Sequence, residues 1–307
     1  MKFLKSSAFK ITLSAVVIFL IFRAIGAEEI YAALLSANIY YIAISFALVL
    51  QIILLKSIRW RNIAAAFNIK IGLVDSVNYT LISYAFAFIT PGRVGEFIKT
   101  KYLADKSNAG YFKSFITVAI DKIFDLIALL GSALLGIVFL DISLPFSDFL
   151  IFPFALYAVA LVSTFLFFEK ALKLAKYLIP KRYRDNLKVL SIRREFYLTS
   201  LGMSFLIWVI LSAAAFFILR SLGIFEASLT AVMIAVPLMA FSSQLPISFG
   251  GIGIRELAAI YFLSSIGVTP GKSAAFSLIY TFVSFVAPAI IGAVFYARVK
   301  AKKSIDS

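Results

Sequence analysis

Two stretches of this chain break apolar sequence with proline, glycine and charge, and they limit what it can fold into more than any other feature. The first is Phe88-Ile-Thr-Pro-Gly-Arg-Val-Gly-Glu-Phe-Ile-Lys-Thr-Lys101 and the second is Gln244-Leu-Pro-Ile-Ser-Phe-Gly-Gly-Ile-Gly-Ile-Arg-Glu256. In a bilayer every backbone amide and carbonyl needs an internal partner. Irregular backbone is tolerated there only where protein or a water-filled cavity surrounds it. Two such breaks, at corresponding places in two halves of a chain, point to a transport site.

That the surrounding sequence is membrane sequence follows from composition. Of 307 residues, 62% are hydrophobic and 15% charged, and the mean hydropathy is +1.00. The chain has no Cys and no His, which excludes thiol chemistry, disulfides, the usual zinc sites and any imidazole-based triad or proton relay. The net charge of +15 lies mostly in loops beside apolar segments. There it reads as topology information and affinity for anionic lipid, and not as a nucleic-acid footprint. The longest polar stretch runs only from about Glu169 to Glu195, so no soluble catalytic module is expected.

Six apolar segments, near residues 9–25, 39–58, 114–140, 149–168, 197–219 and 273–297, are long enough to cross a hydrocarbon core of about 30 Å. The first follows Lys2, Lys5 and Lys10, as in a signal peptide, but no small-x-small cleavage site comes after it, and an uncleaved span is expected. Two regions remain, 73–104 and 228–267, each an interrupted pair of shorter arms. The arm Val77–Thr90 would be about 21 Å long as a helix, too short to cross. The expectation is a re-entrant helical hairpin in each region; the alternative is eight ordinary spans with proline kinks.

Charge placement supports the hairpins. Lys2, Lys5 and Lys10 put the N-terminus inside, and the loop Ile25–Asn38, with Glu28 and Glu29 and no Lys or Arg, is outside. Arg59, Arg61 and Lys70 are inside, as are Lys99, Lys101, Lys106 and Lys113, so the segment between enters and leaves on one face. Asp141 and Asp148 mark an outer loop, and the nine basic residues between Lys170 and Arg194 an inner one. Arg220 and Glu226 belong to an outer loop, and Arg298, Lys300, Lys302 and Lys303 bring the C-terminus inside. The second hairpin then enters from outside. The expected fold is an all-α polytopic membrane protein of six full spans plus two re-entrant helical hairpins in an inverted repeat. Residues 1–144 form one half and 145–307 the other, with the join near Leu144, in a cell membrane with both termini cytoplasmic.

Ionisable residues at membrane depth are expensive unless paired or hydrated, which marks them as functional candidates. Arg93, Glu96, Lys99, Gln244, Arg255 and Glu256 are the candidate substrate-binding residues. Arg93 and Glu96, or Glu96 and Lys99, are spaced to pair along one helix face. Cross-pairs Arg93–Glu256 and Arg255–Glu96 between the breaks are also expected. Pro91, Gly92 and Gly95, with Pro246, Gly250, Gly251 and Gly253, let the backbone turn and expose amides where a phosphate could sit; a purely structural role is the competing reading. Asp121 and Asp125 share a face of the span after the first break, as an ion-coupling pair or as salt-bridge partners of the basic hairpin. Arg59, Trp60 and Arg61 read as an anchor at the inner interface. Two motifs are set aside. Gly267-Val-Thr-Pro-Gly-Lys-Ser273 is one residue short of a phosphate loop, and the sequon Asn78-Tyr-Thr80 lies in a membrane arm.

Taken together, Arg59-Trp-Arg61, Pro91-Gly-Arg-x-Gly-Glu-x-x-Lys99, Asp121-Lys-Ile-Phe-Asp125 and Pro246…Gly250-Gly-x-Gly-x-Arg-Glu256 resemble the flippase-like transmembrane family. That family comprises the membrane region of lysylphosphatidylglycerol synthases and stand-alone relatives. The resemblance covers nearly the whole chain, with two departures. Thr281 stands where many relatives have Arg, and Asp121-Lys122 where many have Glu-Arg. It implies movement of lipid between leaflets. Synthase activity resides in a fused cytosolic domain that is not expected here. The expected activity is translocation of an anionic lipid, phospholipid or polyprenyl phosphate, by a transporter without cofactor or metal. The alternatives are an ion-coupled transporter of a small water-soluble anion and, more remotely, a membrane-embedded lipid-modifying enzyme.

Overall fold

A computed structural model describes residues 7–107, 109–140, 194–244 and 253–305. Among them the structure is helical, without strands. The elements are α1 (Ser7–Ile25), α2 (Ala27–Leu35), α3 (Ile39–Ala66), α4 (Leu73–Phe88), a 3-10 segment (Pro91–Ile98), α5 (Lys99–Ser107), α6 (Tyr111–Leu140), α7 (Arg194–Ser221), α8 (Leu229–Gln244), α9 (Ile254–Ser265), α10 (Pro270–Thr281), a π-turn (Phe282–Val286) and α11 (Ala287–Ile305).

Three helical stretches, Ile39–Ala66, Glu195–Ser221 and Pro270–Ala301, are long and apolar enough to cross a membrane. Only 28–39% of their most apolar windows is buried in the protein. Large apolar side chains such as Leu50, Leu54, Val74 and Val209 face outward, while Ser45, Ser57, Ser76, Ser204 and Thr117 are buried. That is the inverse of a water-soluble protein. In lipid, apolar faces need no cover, and helices associate through small and hydroxylated residues. Ser76 on α4, for example, donates its hydroxyl to the Ser57 carbonyl on α3 at 2.7 Å.

α3 packs on α7 and α4, and α4 is clasped between α11 and the 3-10 segment. The clasp depends on two glycines. A Cβ on Gly95 would collide with the Phe86 carbonyl, and one on Gly292 with the Leu81 carbonyl, both in the backbone of α4. Gly292→Leu on α11 is therefore expected to lower the unfolding midpoint in detergent, at a cost of about 1–3 kcal/mol or more. A midpoint equal to wild type would show that α4 and α11 are not held this closely.

The two arms of the first interrupted region lie side by side. Tyr79 stacks on Tyr102 with ring centroids 5.0 Å apart, and Lys106 near the end of α5 ion-pairs with Asp75 at the start of α4 at 2.5 Å. The break falls at the far end of the pair. In the second region Gly253, at φ 93°, stands as the N-cap of α9. Two sequence expectations are corrected. Ile25–Asn38 is not an open loop: Ala27–Leu35 is helical, with Glu28 and Glu29 in its first turn, where they favour the helix dipole. The helix beginning at Ile39 runs on to Ala66, past the expected end near 58, and carries Arg59-Trp60-Arg61 inside it. The expected span 149–168, most of the basic segment after Lys170, the join near Leu144, and Pro246, Gly250 and Gly251 lie outside the described residues.

Candidate functional site

Three charge clusters converge where α3, α6, the first break, α9 and the π-turn meet. In the first, Lys56 and Arg59 sit one turn apart on α3, opposite Asp121 and Asp125, one turn apart on α6. Lys56 Nζ meets Asp125 Oδ2 at 2.7 Å; Arg59 meets Asp121 Oδ1 at 2.8 Å and Asp125 Oδ1 at 3.2 Å; Lys99 Nζ meets Asp121 Oδ2 at 2.9 Å. Every carboxylate oxygen of the pair is thus engaged by a cation. Of the two readings of Asp121 and Asp125, the geometry matches the salt-bridging one. Lys99 also lies over the Trp60 ring at 4.8 Å, and Arg59 donates to Ser204 on α7.

Arg59 and Trp60 are therefore not an interfacial anchor: they are 1% and 0% exposed. The reason is the two aspartates, which need a guanidinium that can reach both carboxylates and remain charged. Arg61, half-buried, is the one member of that triplet outside the interior.

The second cluster is made by the break itself. Thr90 ends α4: its hydroxyl donates to the Phe86 carbonyl at 2.8 Å and accepts from the Gly95 amide at 2.7 Å. Gly92 (φ 60°) and Arg93 (φ 57°) then take left-handed conformations in succession. Glycine does so freely, but a residue with a Cβ does so at roughly 1–2 kcal/mol. The turn brings Arg93 Nε to Glu96 Oε1 at 2.7 Å, and Lys122 on α6 takes the other oxygen at 2.8 Å.

In the third cluster Arg255 pairs with its neighbour Glu256 at 3.2 Å. Glu256 also accepts from the Gly253 amide at 2.5 Å, which caps α9, and from the Thr281 hydroxyl at 2.9 Å. The expected cross-pairs Arg93–Glu256 and Arg255–Glu96 do not form, because each carboxylate is already held within its own break. The two arginines meet by another route: their guanidiniums lie over one ring, Phe285 in the π-turn, at 4.9 Å and 4.5 Å. The side chain of Gln244, the last residue of α8, lies outside the described residues.

Between the first two clusters is a cavity of about 50 Å³, room for a few water molecules. Its lining combines three cations, Lys56, Arg93 and Lys122, two carboxylates, Glu96 and Asp125, the hydroxyls of Tyr280 and Ser284, and apolar side chains such as Val49, Ile52, Ile207 and Leu211. A smaller cavity of about 20 Å³ lies against Lys99, Thr80 and Ser83 and shares Lys56, Glu96 and Lys122 with the first. Together the clusters hold six cations against four carboxylates.

Sequence reasoning missed Lys56, although a single charge in an apolar span is itself a functional signal. It also missed Tyr280, Ser284 and Phe285, for which there was none, since hydroxyls and aromatics are common in membrane helices.

The sequence matches a family model, the lysylphosphatidylglycerol synthase TM region, over residues 7–292. It is also similar to UPF0104 membrane proteins of three archaea. The protein of Methanothermobacter thermautotrophicus is 24% identical over 85% of this chain and 86% of its own length. That of Pyrococcus horikoshii is 23% identical over 88% and 90%, and that of Methanocaldococcus jannaschii 24% identical over 98% and 96%.

Proposed function

The chain belongs to the family of the lysylphosphatidylglycerol synthase TM region, and we propose that it moves an anionic lipid, a phospholipid or a polyprenyl phosphate, from one leaflet to the other. The observation that carries this reading is a buried cavity where three cations, Lys56, Arg93 and Lys122, outnumber two carboxylates beside apolar side chains. Carrying a charged head group through hydrocarbon is opposed by desolvation. A buried site that supplies counter-charge beside apolar surface lowers that barrier.

In this reading Arg93, Lys122 and Lys56 meet the phosphate first. Glu96 bridges Arg93 and Lys122 when no substrate is held and releases them to it. Arg255, joined to Arg93 through Phe285, receives the head group on the far side, and Lys99 serves the smaller cavity. The cavity is too small for a whole head group, so substrate entry requires the breaks to move apart, as alternating access demands. The breaks are the tips of two re-entrant hairpins, 73–104 and 228–267, set in halves of opposite orientation. The protein is a transporter and not an enzyme, and it sits in the cell membrane with six spans and cytoplasmic termini.

The test is charge selectivity in liposomes carrying the purified protein. Labelled phosphatidylglycerol is expected to change leaflets about tenfold faster than labelled phosphatidylcholine, since like-charge and unpaired-charge terms of this kind are worth about 1–3 kcal/mol. Equal rates would contradict the reading. A small water-soluble anion is the second reading, favoured by the modest cavity volume; saturable phosphate uptake without lipid exchange would select it.

A further inference from the structure

The charge clusters that form the cavity walls are not balanced, and the imbalance has a size. Lys56, Arg59 and Lys99 face Asp121 and Asp125, leaving one positive charge; Arg93 and Lys122 face Glu96, leaving another. The Arg255–Glu256 pair adds none. The clusters thus carry a formal excess of two positive charges, one of it at the cavity lining itself, where Lys56, Arg93 and Lys122 stand against Glu96 and Asp125. The Tyr280 and Ser284 hydroxyls, on residues 0% and 5% exposed, have no hydrogen-bond partner, and both residues line that cavity. Arg255 Nε, beside Phe285, is likewise buried without an acceptor. Buried donors in a folded protein are rarely left unsatisfied unless something comes to satisfy them.

Resting on the lipid-translocase reading, we infer that this cavity selects a phosphomonoester head group over a phosphodiester. A phosphodiester carries one negative charge and two free oxygens. A phosphomonoester carries about 1.5–2 negative charges near pH 7 and offers three acceptor oxygens. The monoester neutralises the clusters' excess of two charges where a diester leaves one, and its third free oxygen gives the two hydroxyls an acceptor beside those that Arg93 and Lys122 engage. A polyprenyl monophosphate, a phosphatidic acid and free inorganic phosphate share this chemistry.

The experiment measures unfolding midpoints of the protein in uncharged detergent, since a ligand that binds the folded state raises them in proportion to its affinity. The probes are phosphatidic acid, phosphatidylglycerol of the same chain length, and inorganic phosphate. Phosphatidic acid is expected to bind at least about tenfold more tightly than phosphatidylglycerol, the worth of one further charge-assisted hydrogen bond. Ser284→Ala and Tyr280→Phe should each erase about tenfold of that preference. Neither removes a hydrogen bond within the protein, so both variants should keep or raise the ligand-free midpoint, which a merely structural hydroxyl would not allow.

Equal stabilisation by phosphatidic acid and phosphatidylglycerol would overturn the monoester inference and leave the translocase reading standing. Stabilisation by inorganic phosphate alone, lost in Ser284→Ala, would uphold the site chemistry and overturn the lipid reading. No stabilisation by any probe would overturn both.

Discussion

Arg59→Ala is expected to yield no folded, monodisperse protein. The guanidinium is 1% exposed and holds both Asp121 and Asp125. Removing it takes one of two cations from each carboxylate, leaving Asp121 on Lys99 and Asp125 on Lys56 with side chains only 9% and 13% exposed. Breaking a buried ion pair by deleting one partner costs about 3–5 kcal/mol, a large part of a total stability of about 5–15 kcal/mol. The loss of the Ser204 contact on α7 adds to it. The size-exclusion profile of the variant decides the matter. A well-folded Arg59→Ala protein would mean that the α3–α6 cluster does not organise the fold.

Arg93→Gly should behave in the opposite way: folded, and inactive. Arg93 is held at φ 57° directly after Gly92 at φ 60°. Glycine relieves that strain, a gain of about 1–2 kcal/mol. Glu96 keeps Lys122 as partner at 2.8 Å, so no carboxylate is stranded. What disappears is the cation that reaches the cavity and the Phe285 ring. Lipid exchange is expected to fall about a hundredfold, as for loss of one charged contact worth about 3 kcal/mol. The unfolding midpoint should stay at or above wild type. Exchange unchanged in a stably folded Arg93→Gly protein would remove this residue from the pathway. The strained backbone points the same way: a costly conformation at a residue that is not glycine persists where the side chain is needed.

The sequence disclosed the helical membrane class, both interruptions and the residues that cluster around them, because apolar length, proline, glycine and isolated charge are local signals. Partners were a different matter. Arg59 looked like an anchor because Arg-Trp-Arg stood near the apparent end of an apolar run. Its true partners, Asp121 and Asp125, lie some sixty residues away and are visible only once α3 and α6 pack together. The cross-pairing of the two breaks was expected from charge symmetry. It gives way to local geometry, since the left-handed turn folds Arg93 back over Glu96 and the Gly253 amide claims Glu256. Ile25–Asn38, with Glu28 and Glu29, reads in sequence as an outer loop. Instead they begin a helix, and Glu29 accepts from the Gly271 amide at the start of α10 at 3.1 Å, a contact spanning most of the chain. Hydroxyls such as Ser284 carry no local mark at all, and their meaning comes from the cavity they border.

The most direct test of the central claim is the rate at which a fluorescent anionic phospholipid changes leaflets in liposomes reconstituted with equal amounts of wild-type protein, Arg93→Gly protein or none. Rapid exchange with the wild type, and protein-free rates with Arg93→Gly, is the expected result. Wild-type exchange no faster than in protein-free liposomes, or exchange that Arg93→Gly fully retains, would contradict a lipid translocase built around this cavity.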